Sequence, residues 1–103
     1  MEHLSFTYEG GRTELHDPIV VGVVASGNLE VMIEPTPDPT CHITVDTPAR
    51  GFDDVWSAVL ADFFERSKLG GVRIAINDVG ATPAVVSLRL DQAVETFRAG
   101  RAA

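Results

Sequence analysis

Residues 18–34 set a nearly unbroken β-branched run directly before a two-residue turn and an alternating segment. Pro18-Ile19-Val20-Val21-Gly22-Val23-Val24-Ala25-Ser26 reads as a buried strand, with Gly22 marking a bulge or a close backbone approach. Leu29-Glu30-Val31-Met32-Ile33-Glu34 puts Leu29, Val31 and Ile33 on one face and Glu30, Met32 and Glu34 on the other. Gly27-Asn28 between them is a hairpin signal, because both residues tolerate positive φ. A chain committed to strands over its first half does not form an all-helical bundle. Pro35-Thr36-Pro37-Asp38-Pro39 then reads as a rigid loop that ends the ladder, and Cys41–Val45 as a third strand before Pro48.

The second half changes period. Phe52, Val55, Trp56, Val59, Leu60, Phe63 and Phe64 follow helical spacing, with Asp53 and Asp54 in the first turn and Arg66 and Lys68 in the last. Gly70-Gly71 is the expected stop. Phe63 and Phe64 lie about 100° apart around a helix, so one of them is a candidate for the edge of the buried stripe. Val72–Asn77 alternates as a fourth strand, Asp78-Val79-Gly80-Ala81 turns, and Thr82-Pro83 is an N-cap followed by proline at the first helical position. Val86, Leu90, Ala93, Val94 and Phe97 line a closing helix that Gly100 ends. Residues 1–17, with Leu4, Phe6 and Tyr8 alternating, read as an N-terminal arm or short strand. The expectation is an α+β fold of order β-β-β-α-β-α, an antiparallel or mixed sheet with two helices packed on one face.

At 103 residues the chain suits one domain spanning 1–103, able to bury roughly 65% of its unfolded surface. Eight Lys/Arg against fifteen Asp/Glu leave a net charge of −7. That balance disfavours phosphate backbones and anionic membranes, so neither nucleic acid nor membrane is expected as a partner. It suits basic protein surfaces instead. Cys41 is the single cysteine, which excludes an intrachain disulfide and a cysteine-rich metal site. The start Met1-Glu2-His3-Leu4-Ser5 lacks a signal-peptide pattern, and no apolar run reaches spanning length. The expected location is the cytoplasm.

Few residues point to chemistry. His3, His16 and His42 fall on separate segments without ligand spacing, and read as surface or loop histidines. Cys41 and His42 are neighbours on a strand and therefore face opposite ways. No metal site and no catalytic residue is assigned. Ser26 stands apart, because it closes one strand and opens the Gly27-Asn28 turn, which exposes its hydroxyl at a hairpin tip. Ser-Gly-Asn is ordinary turn material, and no base is visible that would make Ser26 a nucleophile. A hydroxyl on an exposed turn is nevertheless well placed to be modified by another protein. Asn77, Asp78 and Gly80 have two readings: a strand-to-helix turn held by local backbone bonds, or a turn beside the Ser26 hairpin or a partner.

Several patches, spread over nearly the whole chain, carry a resemblance. Val24-Ala25-Ser26-Gly27-Asn28-Leu29-Glu30-Val31, Ile76-Asn77-Asp78-Val79-Gly80-Ala81-Thr82-Pro83, Leu88–Ala93 and Leu4-Ser5-Phe6 resemble the acyl carrier (δ) subunit of bacterial malonate decarboxylase, related to the citrate lyase acyl carrier (γ) chain. The leader before Ser26 and the Gly-Ala-Thr-Pro turn favour the former over a citrate lyase-type carrier. The helix-borne Asp-Ser-Leu of the fatty-acid carrier bundle is absent. The resemblance implies a non-catalytic carrier whose Ser26 holds 2'-(5''-phosphoribosyl)-3'-dephospho-CoA through a phosphodiester, with Gly27 and Asn28 supplying the turn. Acetyl and malonyl units would ride on its thiol as thioesters. It further implies acyltransferase and decarboxylase subunits, a prosthetic-group transferase and a malonyl transferase as partners. The family pattern often has Asp after Ser-Gly, where this chain has Asn28, a residue that suits turns equally well. A small assembly domain without a prosthetic group is the alternative from a different class.

Overall fold

The computed structural model describes residues 1–14 and 22–100. Among these described residues, two helices and seven strands follow one another as β1 (Glu2–Tyr8), β2 (Arg12–Thr13), β3 (Gly22–Ser26), β4 (Leu29–Pro35), β5 (Cys41–Thr47), α1 (Asp53–Ser67), β6 (Leu69–Gly70), β7 (Val72–Asp78) and α2 (Pro83–Ala99). Five strands form one mixed sheet in the order β1-β5-β7-β4-β3, and β2 and β6 form a separate two-stranded pair. The fold is α+β, as expected. Three strands exceed the expected order. The N-terminal arm is in part a seven-residue edge strand, β1, antiparallel to β5, whose Leu4, Phe6 and Tyr8 pack on the core.

Period-2 alternation explains the burial. Leu29, Val31 and Ile33 of β4, Cys41, Ile43 and Val45 of β5, and Val72, Ile74 and Ile76 of β7 are all buried on one face. The core of α1 and α2 packs there, through Leu60, Phe63, Leu90, Ala93 and Phe97. β5 and β7 run parallel, so the chain must cross over between them, and α1 makes that crossover. Phe63 and Phe64 are both buried, and Phe64 stacks on Tyr8 with centroids 5.0 Å apart, so neither is an edge anchor.

Several expectations need correction. Gly70-Gly71 does not stop α1. The helix ends two residues earlier, with Lys68 as its C-cap, a non-glycine residue with φ of 48°, whose N–H bonds Phe64 O and whose carbonyl accepts from Arg12 N–H at 2.7 Å. Gly70 lies in β6 instead, where an added Cβ would sit 2.7 Å from the Pro39 carbonyl oxygen. That glycine serves close packing. Phe52 and Val55 do not join the buried stripe, being 50% and 41% exposed at the start of α1. The β3–β4 register runs unbroken from Gly22↔Ile33 to Ser26↔Leu29, which leaves no bulge at Gly22. Residues 18–21 of the expected strand, and His16, lie outside the described residues. Pro35 ends β4 opposite Val72 rather than standing in the loop, and β5 continues to Thr47. Thr82 caps α2 as expected, accepting from Val85 N–H at 3.3 Å ahead of Pro83.

Candidate functional site

The hairpin that carries Ser26 is built by β3 and β4. Ser26 and Leu29 form the last antiparallel pair, and Gly27 and Asn28 close the turn. Gly27 lies outside the left-handed region, and among the described residues Lys68 is the only non-glycine with positive φ. The positive-φ tolerance of Gly-Asn is therefore not what the turn uses. Gly27 is exposed, and an added Cβ there would meet nothing within 4 Å.

The two sequence patches meet in space. Leu29 of β4 pairs with Asp78 of β7, and Val79 N–H donates to the carbonyl of Asn28 at 3.0 Å. Asn77 Nδ2 donates to Glu30 Oε1 at 3.2 Å across the same ladder. Asp78 is buried. Its Oδ2 accepts from the Thr47 hydroxyl at 2.8 Å, and its Oδ1 accepts from Ala81 N–H at 2.8 Å and Gly80 N–H at 3.1 Å. Gly80 takes φ of +107°, which favours glycine. Both readings of this patch find support: Asp78 holds the local turn through Gly80 and Ala81, and the patch lies beside the Ser26 turn, with long-range bonds to Thr47 and Glu30 besides. Thr47 escaped the sequence reading. The signal was present, because the alternation Cys41, Ile43, Val45 carries on to a polar residue on the buried face.

An apolar groove of about 270 Å³ opens at this same end of the sheet, between the N-terminal portions of α1 and α2. Phe52, Val55, Trp56, Val59, Pro83 and Val86 line much of it. The exposed Phe52 and Val55 thus belong to a concave surface, which helical periodicity alone could not separate from core.

The other candidates are accounted for without catalysis. Cys41 is buried, and burial pushes its thiol up to about 12. His42 projects from the opposite face, where its Nδ1 lies 2.9 Å from the Thr7 hydroxyl and its Nε2 3.4 Å from the Ser5 hydroxyl. His3 pairs with Asp46 on that exposed face. Among the described residues no group of His, Cys, Asp and Glu could hold a metal ion. Asp53 and Asp54 occupy the first turn of α1, as the dipole argument requires.

The profile of the family described as malonate decarboxylase delta subunit (MdcD) matches residues 16–97. The chain belongs to that family. A relative from Burkholderia cepacia, named malonate decarboxylase acyl carrier protein, is 56% identical over 90% of this chain and 87% of its own. A second of the same name, from Stenotrophomonas maltophilia (strain K279a), is 54% identical over 97% of each chain. One chain of the crystal structure of a Pseudomonas malonate decarboxylase hetero-tetramer in complex with malonate superposes with a TM-score of 0.76. It is 34% identical, over 94% of this chain and 99% of that one. The Ser26 hairpin and the Asp78 turn both fall within the residues matched to the family.

A covalently held group fits the hairpin tip. The space around Gly27 is open, and the adjacent turn is braced by the Asn28–Val79 backbone bond.

Proposed function

We propose that this chain is the acyl carrier subunit of a malonate decarboxylase, a single carrier domain in which Ser26 bears 2'-(5''-phosphoribosyl)-3'-dephospho-CoA through a phosphodiester. The observation that carries this reading is the position of Ser26. It ends β3 beside a two-residue turn whose Gly27 has open space around it, in a chain that belongs to the delta subunit family. When attached, the group supplies a thiol on which acetyl and malonyl units are held as thioesters.

The protein's own part is mechanical and electrostatic. Strands β3 and β4 place Ser26 at the end of the ladder, next to a turn whose Gly27 is exposed with open space around it. The Asp78 hub fixes where β7 turns towards α2, and so holds the neighbouring Asn28 carbonyl in place. A net charge of −7 favours encounter with basic docking surfaces on the acyltransferase and decarboxylase subunits, the prosthetic-group transferase and the malonyl transferase. In this reading the chain catalyses no step of the cycle. No described helix is long and apolar enough to cross a membrane.

Intact mass of the chain from its native host, beside a Ser26→Ala variant, tests the reading. An added mass equal to the phosphoribosyl-dephospho-CoA group, absent from the variant, is expected. An unmodified chain in a host that makes the transferase would overturn it, and would leave an assembly domain without a prosthetic group as the better account.

A further inference from the structure

The apolar groove lies close to the carrier serine. Ser26 pairs with Leu29, Leu29 pairs with Asp78, and Asp78 reaches the groove wall. Two strand spacings separate the Ser26 backbone from that of Asp78, about 10 Å. The attached arm runs from the Ser26 phosphodiester through two ribose units and a diphosphate before it reaches the pantetheine and its thiol, so it is much longer than this gap. An arm rooted at Ser26 can therefore fold back and place its sulfur end in the groove.

We propose that this groove holds the acetyl-thioester end of the arm and excludes the malonyl end. The inference rests on the carrier reading. Size comes first: about 270 Å³ is below the range of sites that enclose a whole drug-sized ligand, so it suits a short terminus and not a nucleotide. Chemistry comes second. The lining is apolar side chain almost throughout, and its one buried carboxylate, Asp78, already has its oxygens engaged by Thr47, Gly80 and Ala81. A methyl thioester gains by leaving water there. A malonyl carboxylate would be buried among apolar side chains and beside the carboxylate of Asp78. Arg50, the cation nearest in sequence, is exposed and does not line the groove.

The two acyl states then differ in location. The acetyl end rests against Trp56 and Val59, shielded from water, while the malonyl end stays outside, available to the subunit that decarboxylates it. Release of CO₂ from the malonyl thioester, with a proton taken up at the carbon left behind, regenerates the form the groove accepts.

Trp56 is the chain's single tryptophan and lines the groove, so its emission reports occupancy directly. The loaded carrier is prepared in acetyl and malonyl forms, with modification first confirmed by mass. Trp56 emission and thioester hydrolysis are then compared for wild type and Val55→Asp. Val55 is already 41% exposed, so the variant should fold, which circular dichroism checks. Expected are an emission shifted to shorter wavelength in the acetyl form relative to the malonyl form, and acetyl hydrolysis at least about threefold faster in Val55→Asp than in wild type. Equal emission in the two forms, or hydrolysis indifferent to the substitution, overturns the inference. So does protection that appears only when the acyltransferase subunit is added, since the groove would then be a docking surface. Absence of the added mass would overturn the carrier reading itself, and so is distinguishable from failure of the groove.

Discussion

The hydroxyl of Thr47 donates a 2.8 Å hydrogen bond to Oδ2 of Asp78, joining the ends of two parallel strands inside the core. The other carboxylate oxygen accepts from the N–H groups of Gly80 and Ala81, so one side chain sets the path from β7 to α2. Asp78→Ala strips three donors of their acceptor. Buried unsatisfied groups cost about 1–3 kcal/mol each, and water will reach some of them, so a loss of about 3 kcal/mol is expected in urea unfolding. Asp78→Asn keeps an acceptor for the two N–H groups and should cost less than half as much. Equal losses for the two variants would assign the effect to charge rather than to acceptor geometry.

Two glycines should respond oppositely to the same added methyl group. Gly27→Ala meets open space, and its thermal unfolding should stay within about 0.5 kcal/mol of wild type. Gly70→Ala forces Cβ to 2.7 Å from the Pro39 carbonyl oxygen, a backbone atom that cannot swing aside. About 1–3 kcal/mol should be lost there. Matching shifts in melting temperature would contradict the close approach of β6 to the proline loop.

Cys41 should make stability fall at alkaline pH. Its ordinary thiol value of 9.0 is raised by burial to about 12 in the folded chain. Below pH 9 both states hold the proton, and the thiol contributes no slope. Between about 9 and 12 the unfolded state loses its proton while the folded state keeps it. Stability then falls by at most about 1.4 kcal/mol per pH unit from this group. Urea midpoints measured across that window should flatten in Cys41→Val relative to wild type. Parallel curves for the two proteins would place the thiol in contact with water.

The stacked pair Tyr8 and Phe64 ties the N-terminal strand to α1. A double-mutant cycle over Tyr8→Ala and Phe64→Ala should give a coupling of about 0.5–1.5 kcal/mol. A coupling near zero would mean that β1 is held by its ladder to β5 and not by its aromatic end.

Local pattern was a good guide where burial and periodicity agree. Leu29, Val31 and Ile33 alternate and are buried, and Val86, Leu90, Ala93, Val94 and Phe97 recur at helical spacing and face the core. Phe52 and Val55 show the limit. They satisfy the same spacing as Trp56 and Leu60, but whether an apolar position is covered depends on what packs over it, and here a groove is left. Gly70 shows another. Two glycines after a helix look like a stop, yet a residue held by a tertiary bond to Arg12 ended the helix first.

From its residues alone the chain determined its α+β class, the hairpin bearing Ser26 and the cap at Thr82, because each depends on neighbours within a few positions. The meeting of the Ser26 turn with the Asp78 turn was decided only by tertiary structure. Residues some fifty positions apart are joined by strand order, and β4 lies beside β7 because the sheet as a whole buries its apolar face under two helices. The groove between those helices has the same origin: its shape belongs to the packing of α1 against α2, and no local pattern contains it.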